Sequence, residues 1–465
     1  MAATEAQEPP WTGRWGDSEI CASIKGGAIL EQMVARKTVC LRRLGGDRAG
    51  ELQAGRFFAN RKVTTEKIVK GWSTLTGAAC AGRHVLLIED RSEVKFPTTA
   101  QRRRGLGPVK KGNAYGVLVH AMIAVDADRG SCLGLVGGDV WSRDGVNPLP
   151  HGRRPLAERE SAHWVDTAQQ AKQVAQSAAL MTVVADREAD IYPLWGTVPD
   201  PTCHMLTRAM SDRSLVGGGM LFAVAAQFPV AGRRGIALPA RDPGQRKRSV
   251  LLQLRYGEVE ICRPRGERDR SLPPSVRLRL IEVQEVDPPK HAEPLHWRLL
   301  TTHTIADATA AWEMVGWYQL RWVIEQLFRV MKSQGLQLED SQMASAERLV
   351  KLAAAATRAA CIDIQLTQGR DGIDQMPASN VFTEPEIDTL AALRPTLEGK
   401  TAPQQNSCQP LSLAWAAWII ARLGGWNCYY KPPGPITFRR GMEQFYAIHR
   451  GRQLEMRLQR KVRIP

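Results

Sequence analysis

The run Trp317-Tyr318-Gln319-Leu320-Arg321-Trp322-Val323-Ile324-Glu325-Gln326-Leu327-Phe328-Arg329-Val330-Met331-Lys332 has neither glycine nor proline and repeats apolar residues at helical intervals. It predicts an amphipathic helix. At about 100° per residue, with Tyr318 at zero, Arg321, Glu325 and Lys332 fall at about 300°, 340° and 320°. A phenol, two cations and a carboxylate thus share one narrow stripe, while Val323, Ile324, Leu327, Val330 and Met331 mark another face suited to burial. On an arbitrary helix such a stripe is ordinary solvated surface, with Arg321 and Glu325 an i,i+4 pair worth a few tenths of a kcal/mol.

Two earlier stretches carry acids in a different setting. His84-Val85-Leu86-Leu87-Ile88-Glu89-Asp90 and Met181-Thr182-Val183-Val184-Ala185-Asp186 are short apolar runs that end in carboxylates. Each predicts a buried strand that delivers an acid at its C-terminal edge. A lone acid there is more often a turn residue, and Glu89 rivals Asp90. Asp186 also suits the N-cap of whatever follows. Tyr115 to Val125 and Cys132 to Trp141, joined by the turn-like Asp126-Ala127-Asp128-Arg129-Gly130, predict two more strands and an antiparallel three-strand start.

The spacing Tyr-x2-Arg-x3-Glu-x6-Lys, from Tyr318 to Lys332, resembles the Tyr-Arg-Glu-Lys signature of the cut-and-paste bacterial transposases of insertion sequence family four. The pentad Asp186-Arg187-Glu188-Ala189-Asp190 is the most literal second match. Asp90 follows an Ile-Glu pair, as in the family, although Arg91-Ser92 replaces the usual Thr-Thr. The resemblance implies an α/β fold: an RNase H-like (retroviral-integrase-like) catalytic core with a β-rich insertion, flanked by helical domains. It further implies a metal-dependent DNA transposase that cleaves transposon ends and joins them to target DNA, through a hairpin intermediate.

On that resemblance Asp90, Asp186 and Glu325 are the catalytic, metal-binding acids, and two Mg²⁺ ions are expected, with Mn²⁺ as substitute. Three carboxylates brought together without a cation repel one another, and hard oxygen ligands suit Mg²⁺. Ions about 3.5 to 4 Å apart activate the nucleophile and stabilise the leaving oxygen of a phosphodiester. The implied DNA contacts are Tyr318, Arg321, Lys332, Arg208, Trp297, Arg329 and Arg56. The partners are transposon-end DNA and target DNA, with the chain a homodimer in a paired-end complex and no membrane involved.

Composition is compatible with this. The 465 residues are too many for one ordinary core. A net charge of +16 favours a polyanionic partner, nucleic acid before membrane. Nine cysteines, scattered and without a C-x-x-C pair, look like reduced thiols, and the nine histidines lack zinc-site spacing. The start Met1-Ala2-Ala3-Thr4-Glu5 does not resemble a signal peptide, and no apolar run approaches a membrane span. A soluble cytoplasmic protein is expected.

Three domains are expected: residues 1–70, helical and binding DNA ends; 71–370, the core, with the β insertion at about 210–297; and 371–465, helical and used for dimerisation. The first opens on a Pro-rich leader expected to be disordered, and Thr64 or Thr65 suits a helix cap. Gln101-Arg102-Arg103-Arg104-Gly105 through Lys110-Lys111 reads as a basic connector and Ala157 to Ala178 as a helix. In the insertion, Val276-Arg277-Leu278-Arg279-Leu280-Ile281 alternates charge and apolar groups, predicting a strand with an Arg-bearing face open to phosphates. Ala344 to Leu366, a helix opened by Thr383-Glu384-Pro385-Glu386, and Leu411 to Leu423 ending at Gly424-Gly425 follow. The stretch 420–426 resembles the family's dimerisation module, and residues 431–465 carry nine Lys or Arg against two Glu. The rival readings are a nuclease on the same core that cuts without joining, and a non-catalytic DNA-binding regulator, against which the presence of all three acids argues.

Overall fold

In the computed structural model the described residues are 20–96, 105–109, 114–143, 160–238, 248–289, 293–343, 345–370, 376–429 and 431–462. The expected leader before residue 20 and most of the basic connector lie outside them. The first helices are α1 (Ile20–Arg36), α2 (Leu41–Gly45), α3 (Arg48–Ala59), α4 (Thr65–Lys70) and α5 (Thr76–Ala79). Asp47 caps α3 through the Gly50 amide, and Thr64 caps α4 through that of Lys67. Phe58 and Trp72 are fully buried and tie these short helices to the rest of the chain. The Trp72 indole donates to the Ala354 carbonyl at 3.0 Å.

Nine strands form one sheet. They are β1 (His84–Phe96), β2 (Tyr115–Asp126), β3 (Cys132–Trp141), β4 (Leu180–Ala185), β5 (Cys203–Arg208), β6 (Val230–Leu238), β7 (Arg248–Cys262), β8 (Ser275–Glu285) and β9 (His296–Thr301). Their order is β3-β2-β1-β4-β5-β9-β8-β7-β6. β1 pairs antiparallel with β2 and parallel with β4, and β4 is parallel to β5. The parallel steps are made by crossover helices, α6 (Ala162–Val174) before β4 and α7 (Tyr192–Thr197) before β5. α6 is shorter than the expected Ala157 to Ala178, of which 157–159 lie outside the described residues.

β1 is longer than expected. It continues past Asp90 to Phe96, because β2 offers partners as far as the pair Phe96 and Tyr115. The parallel ladder with β4 stops at Glu89 opposite Ala185. Asp90 therefore sits in mid-strand, but at the level where its neighbour β4 has ended and the next residue, Asp186, has left the sheet.

The β-rich insertion extends the sheet instead of standing apart from it. β9 pairs with β5 over Leu206–Thr301, Thr207–Leu300 and Arg208–Leu299, and β8, β7 and β6 continue as an antiparallel meander. Its expected open face of arginine is mostly answered from within. Arg279 pairs with Glu258, Arg298 and Arg255 with Glu282, and Arg248 with Glu285. Cross-strand neighbours stand close enough for opposite charges to meet, so these cations are already engaged. Arg277 is the most open, its side chain 84% exposed and 3.5 Å from Glu260.

The predicted single helix over 317–332 is three pieces. α9 (Ala308–Gln319), capped by Asp307, ends before Leu320 and Arg321. α10 (Trp322–Arg329) follows, and Val330–Gln334 is a π-helical turn. Across the break the hydrogen bonds run i to i+3, from the Arg321 amide to Tyr318 and from the Val323 amide to Leu320. Such tightening brings residues three apart into line, and the Arg321 guanidinium lies over the Tyr318 ring at 5.9 Å.

α11 (Ala346–Gly369) is buried on nearly every side and packs against β2 and β3, opposite α6. α12 (Glu384–Leu397) starts with the expected capping box of Thr383 and Glu386, α13 (Leu413–Leu423) ends at Gly424 and Gly425, and α14 (Pro435–Val462) packs back onto α1. No helix among the described residues is long and apolar enough to cross a membrane.

Three histidines stitch the middle of the sheet. The Thr182 hydroxyl lies 2.8 Å from Nε2 of both His84 and His303, and His303 stacks on His204 at 4.0 Å. Burial pushes all three imidazoles below their ordinary range, His303 to about 3. A histidine held neutral in the folded state contributes stability that is complete above its unfolded value near 6.5 and is lost as pH falls toward its folded value. Acidification from about pH 7.5 to about pH 5 should thus cost the wild type about 2 kcal/mol relative to His303→Gln. Urea unfolding of both proteins at the two pH values measures the difference; parallel pH profiles would remove His303 from this account.

Candidate active site

Asp90 and Asp186 arrive on adjacent parallel strands one residue beyond their last shared pair, Glu89 and Ala185. The break between α9 and α10 sets Arg321 against both. Its Nη1 is 3.1 Å from an Asp90 oxygen, its Nη2 is 3.8 Å from Asp186, and the same Nη2 donates to Glu325. One guanidinium therefore touches three carboxylates supplied from positions 90, 186 and 325. The Tyr318 hydroxyl donates to Asp186 at 3.3 Å, and the Asp186 carboxylate also accepts from the Arg187 amide, capping a short 3-10 turn. Asp186 is thus the N-cap of that turn, as one of its two readings expected, and it lies near the same guanidinium as Asp90 and Glu325.

The electrostatics follow from crowding. Burial raises the Asp90 carboxyl to about 7; Asp186 and Glu325 push the same way, and Arg321 opposes. Burial disfavours charge on Arg321, but Tyr318 and the three acids hold it protonated above its ordinary range. Burial, with Asp186, lifts the Tyr318 phenol to about 12, so it is a donor at neutral pH. Lys332, on the π turn, is depressed by burial and by Lys95, with Glu339, Glu93 and Asp90 opposing.

Glu89 and Asp90 are sorted by the strand itself, since successive side chains point to opposite faces. Asp90 faces Arg321. Glu89 is fully buried on the other face, 2.6 Å from His120 Nε2 and beneath Trp164 of α6, which meets the imidazole edge-on at 4.7 Å. Burial raises this carboxyl well above its ordinary range and pushes His120 down to about 3. The pair is a neutral acid donating to a neutral ring.

Other expected residues fall at unequal distances. The Trp297 ring meets Tyr318 edge-on at 5.3 Å, and Arg208 reaches the Tyr318 hydroxyl while donating to the His296 carbonyl at 3.1 Å. Arg329 is exposed on α10, and Arg56 is exposed in the last turn of α3, and neither is among the contacts of this cluster. Arg91 was not among the expected site residues. It leaves β1 beside Asp90 and binds Glu160 at 2.7 Å and Glu188 at 2.8 Å; its only sequence signal was adjacency to Asp90. Trp322 was also passed over, although its indole is 46% exposed immediately after Arg321. Asp190, the last acid of the pentad, is structural: it accepts from the amides of Met210 and Ser211 and binds Arg213.

Among the described residues no three of His, Cys, Asp and Glu are disposed as a metal-binding group. The acids surround a guanidinium instead. Their donors nevertheless fit a hard cation: they are all carboxylate oxygens, and they hold a repulsion that only positive charge relieves.

Two substitutions separate these roles. Glu89→Gln keeps the shape and neutrality of a buried group and should shift stability by no more than about 1 kcal/mol, with activity retained. Arg321→Ala leaves three carboxylates facing one another and should cost about 3 kcal/mol in chelator. Thermal unfolding with and without Mg²⁺ tests this; an Arg321→Ala protein as stable as the wild type in chelator would contradict it.

The Transposase DDE domain family model matches residues 82–362, more than half of the chain. Among solved structures the chain is similar to the cryo-EM structure of the piggyBac transposase synaptic complex with hairpin DNA. Identity is 12%, the TM-score is 0.36, and the match covers 80% of this chain and 73% of that one. On the family match, this chain belongs to the transposases that carry the DDE domain.

Proposed function

We propose that the protein is a metal-dependent DNA transposase that cleaves transposon ends and transfers the freed strands into target DNA. The observation that carries this reading is the meeting of Asp90, Asp186 and Glu325 at one guanidinium. Belonging to the family supports the reaction class. The strand order β3-β2-β1-β4-β5, antiparallel on one side and parallel on the other, supports an RNase H-like core. We further place the chain in the Tyr-Arg-Glu-Lys group of insertion sequence family four, on Tyr318, Arg321, Glu325 and Lys332, with the hairpin route that this group implies.

Asp90, Asp186 and Glu325 would hold two Mg²⁺ ions, or Mn²⁺ in their place. Such ions supply Lewis-acid activation of the attacking oxygen and charge stabilisation of the leaving one. The remaining chemistry belongs to the chain. Arg321 neutralises the acids in the structure described here and becomes a phosphate anchor once they have another counter-charge. Arg208 and Lys332 flank it, the former beside Tyr318 and the latter toward Asp90. Tyr318 donates its proton at a phosphate or carboxylate oxygen, and Trp297 beside it offers a ring for an unstacked base. Arg329 and Arg56 would contact DNA outside this centre. Residues 1–70 would bind the ends, 71–370 carry the chemistry, and 371–465 join two copies in a paired-end complex.

Purified protein, labelled fragments bearing the inverted repeats that flank its gene, supercoiled target and Mg²⁺ together test this. Nicked ends and joined products are expected. Asp90→Ala, Asp186→Ala and Glu325→Ala should each lower cleavage by more than about 100-fold, since loss even of an outer-shell partner costs 10 to 100-fold, while DNA binding persists. Cleaved ends without joined product would indicate a nuclease instead. Wild-type cleavage by Asp186→Ala would refute the site.

A further inference from the structure

A second concentration of charge lies away from the carboxylates. An open cavity of about 950 Å³ separates the end of α1 and all of α2 from one face of α14. Arg36, Arg42 and Arg43 line one wall, and Arg439 and Arg450 line the other. Among the described residues Glu443 is the lone carboxylate in the lining. Glu31, outside the lining, is pushed up to about 7 by burial, with Arg450 opposing.

Among the described residues few ion pairs neutralise these cations. Arg42 is 3.9 Å from Glu51, which Arg48 already binds at 3.0 Å. The Arg36 guanidinium donates to the Arg43 carbonyl, which fixes its direction without cancelling its charge. Among the described residues Arg43, Arg439 and Arg450 form no ion pair. Like charges crowded without partners repel and weaken the folded state, so the arrangement is suited to a multivalent anion.

The spacing says which kind. On α14, residues 439, 443, 446, 447 and 450 share one helical face. Arg439 and Arg450 are about 16 Å apart along the axis at about 1.5 Å per residue. That is too far for one phosphate group to bridge, but it matches about five phosphates of a strand that rises about 3.4 Å per nucleotide. Guanidinium groups are also the side chains best shaped for phosphate oxygens.

We propose that this arginine-lined cleft, built jointly by α1, α2 and α14, is a track for the phosphate backbone of duplex DNA, separate from the carboxylate centre. The proposal rests on the transposase reading for its choice of duplex DNA over other polyanions. Because segments from both ends of the chain form it, neither end would hold DNA fully without the other.

The test uses the full chain in chelator, so that no cleavage occurs, with a labelled random-sequence duplex and a labelled single-stranded RNA. Arg43→Ala/Arg439→Ala removes two exposed side chains that form no ion pair among the described residues, and should leave thermal stability unchanged or slightly raised. Its duplex affinity should drop on the order of tenfold or more at about 0.1 M salt, and the slope of log K against log salt should flatten by about 2. Arg43→Lys/Arg439→Lys should retain most of the slope, which ties the loss to charge in the cleft. Wild-type affinity and slope in a folded Ala pair would overturn the cleft while leaving cleavage by the wild type, and so the transposase reading, untouched. An Ala pair that loses RNA but not duplex would also overturn it, by giving the track to RNA. Failure of the wild type both to bind duplex and to cleave ends would remove the transposase reading and, with it, the choice of DNA.

Discussion

Three carboxylates and one guanidinium at the end of a parallel strand pair form the constraint on which the centre of this molecule turns. Asp90, Asp186 and Glu325 each touch Arg321, and burial drives the Asp90 carboxyl up to about 7. Asp186 and Glu325 push that carboxyl up and Arg321 opposes them, so removing a charge from the set alters the protonation of Asp90. The geometry depends on two independent pieces of backbone. The β1–β4 register fixes the two aspartates at one level, and the tightened turn between α9 and α10 sets Arg321 between them and Glu325.

The two faces of β1 show how one strand separates an acid set among charges from an acid sealed in neutral surroundings. On the face toward α10, Asp90 remains partly open and surrounded by ions. On the face toward α6, Glu89 and His120 are both sealed, and each is driven to its neutral form. Burying an unpaired carboxylate costs more than protonating it, so the sealed pair persists as a neutral hydrogen bond. The histidines around Thr182 follow the same rule, with three rings held neutral by burial. The middle of the sheet thus carries polar groups without net charge, and the unneutralised field is confined to its edge.

Much of this was legible in the sequence, for identifiable reasons. Runs such as 84–90 and 181–186 are short, apolar and rich in β-branched residues, which favours buried strands, and an acid at their ends lands at a strand end or at the level of one. The alternation of faces could not be assigned without knowing the first residue's direction, which left Glu89 and Asp90 as rivals until α6 and α10 were placed. The helix over 317–332 was misread because nothing in its composition breaks a helix. Its break at Leu320 and Arg321 is imposed from outside, by the side chain of Arg321 reaching three acids while Val323, Ile324 and Leu327 stay buried. The Arg-Leu alternation of β8 correctly predicted a strand. It misjudged the charge, since the glutamates that answer those arginines, Glu258 and Glu260, sit on the neighbouring β7, which only the sheet order reveals.

That sheet order also explains how the β-rich extension reaches the centre. β9 joins β5 over three residue pairs, and that short seam fixes Arg208 at the end of β5 opposite Leu299, two residues from Trp297. Trp297 meets Tyr318 edge-on, Arg208 reaches the same phenol, and the phenol donates to Asp186. A chain of contacts thus runs from the meander to a carboxylate without passing through the core beneath. The packing of β6 to β8 rests on their own Leu252, Leu254, Leu278 and Leu280, on their own ion pairs and on α9, where Arg234 of β6 lies over the Trp312 ring at 4.9 Å. Its influence on the carboxylates therefore has two routes, the β5–β9 seam and the packing on α9, which carries Tyr318; a change in the seam's register would move one wall of the cluster while leaving the register of β1 and β4 intact.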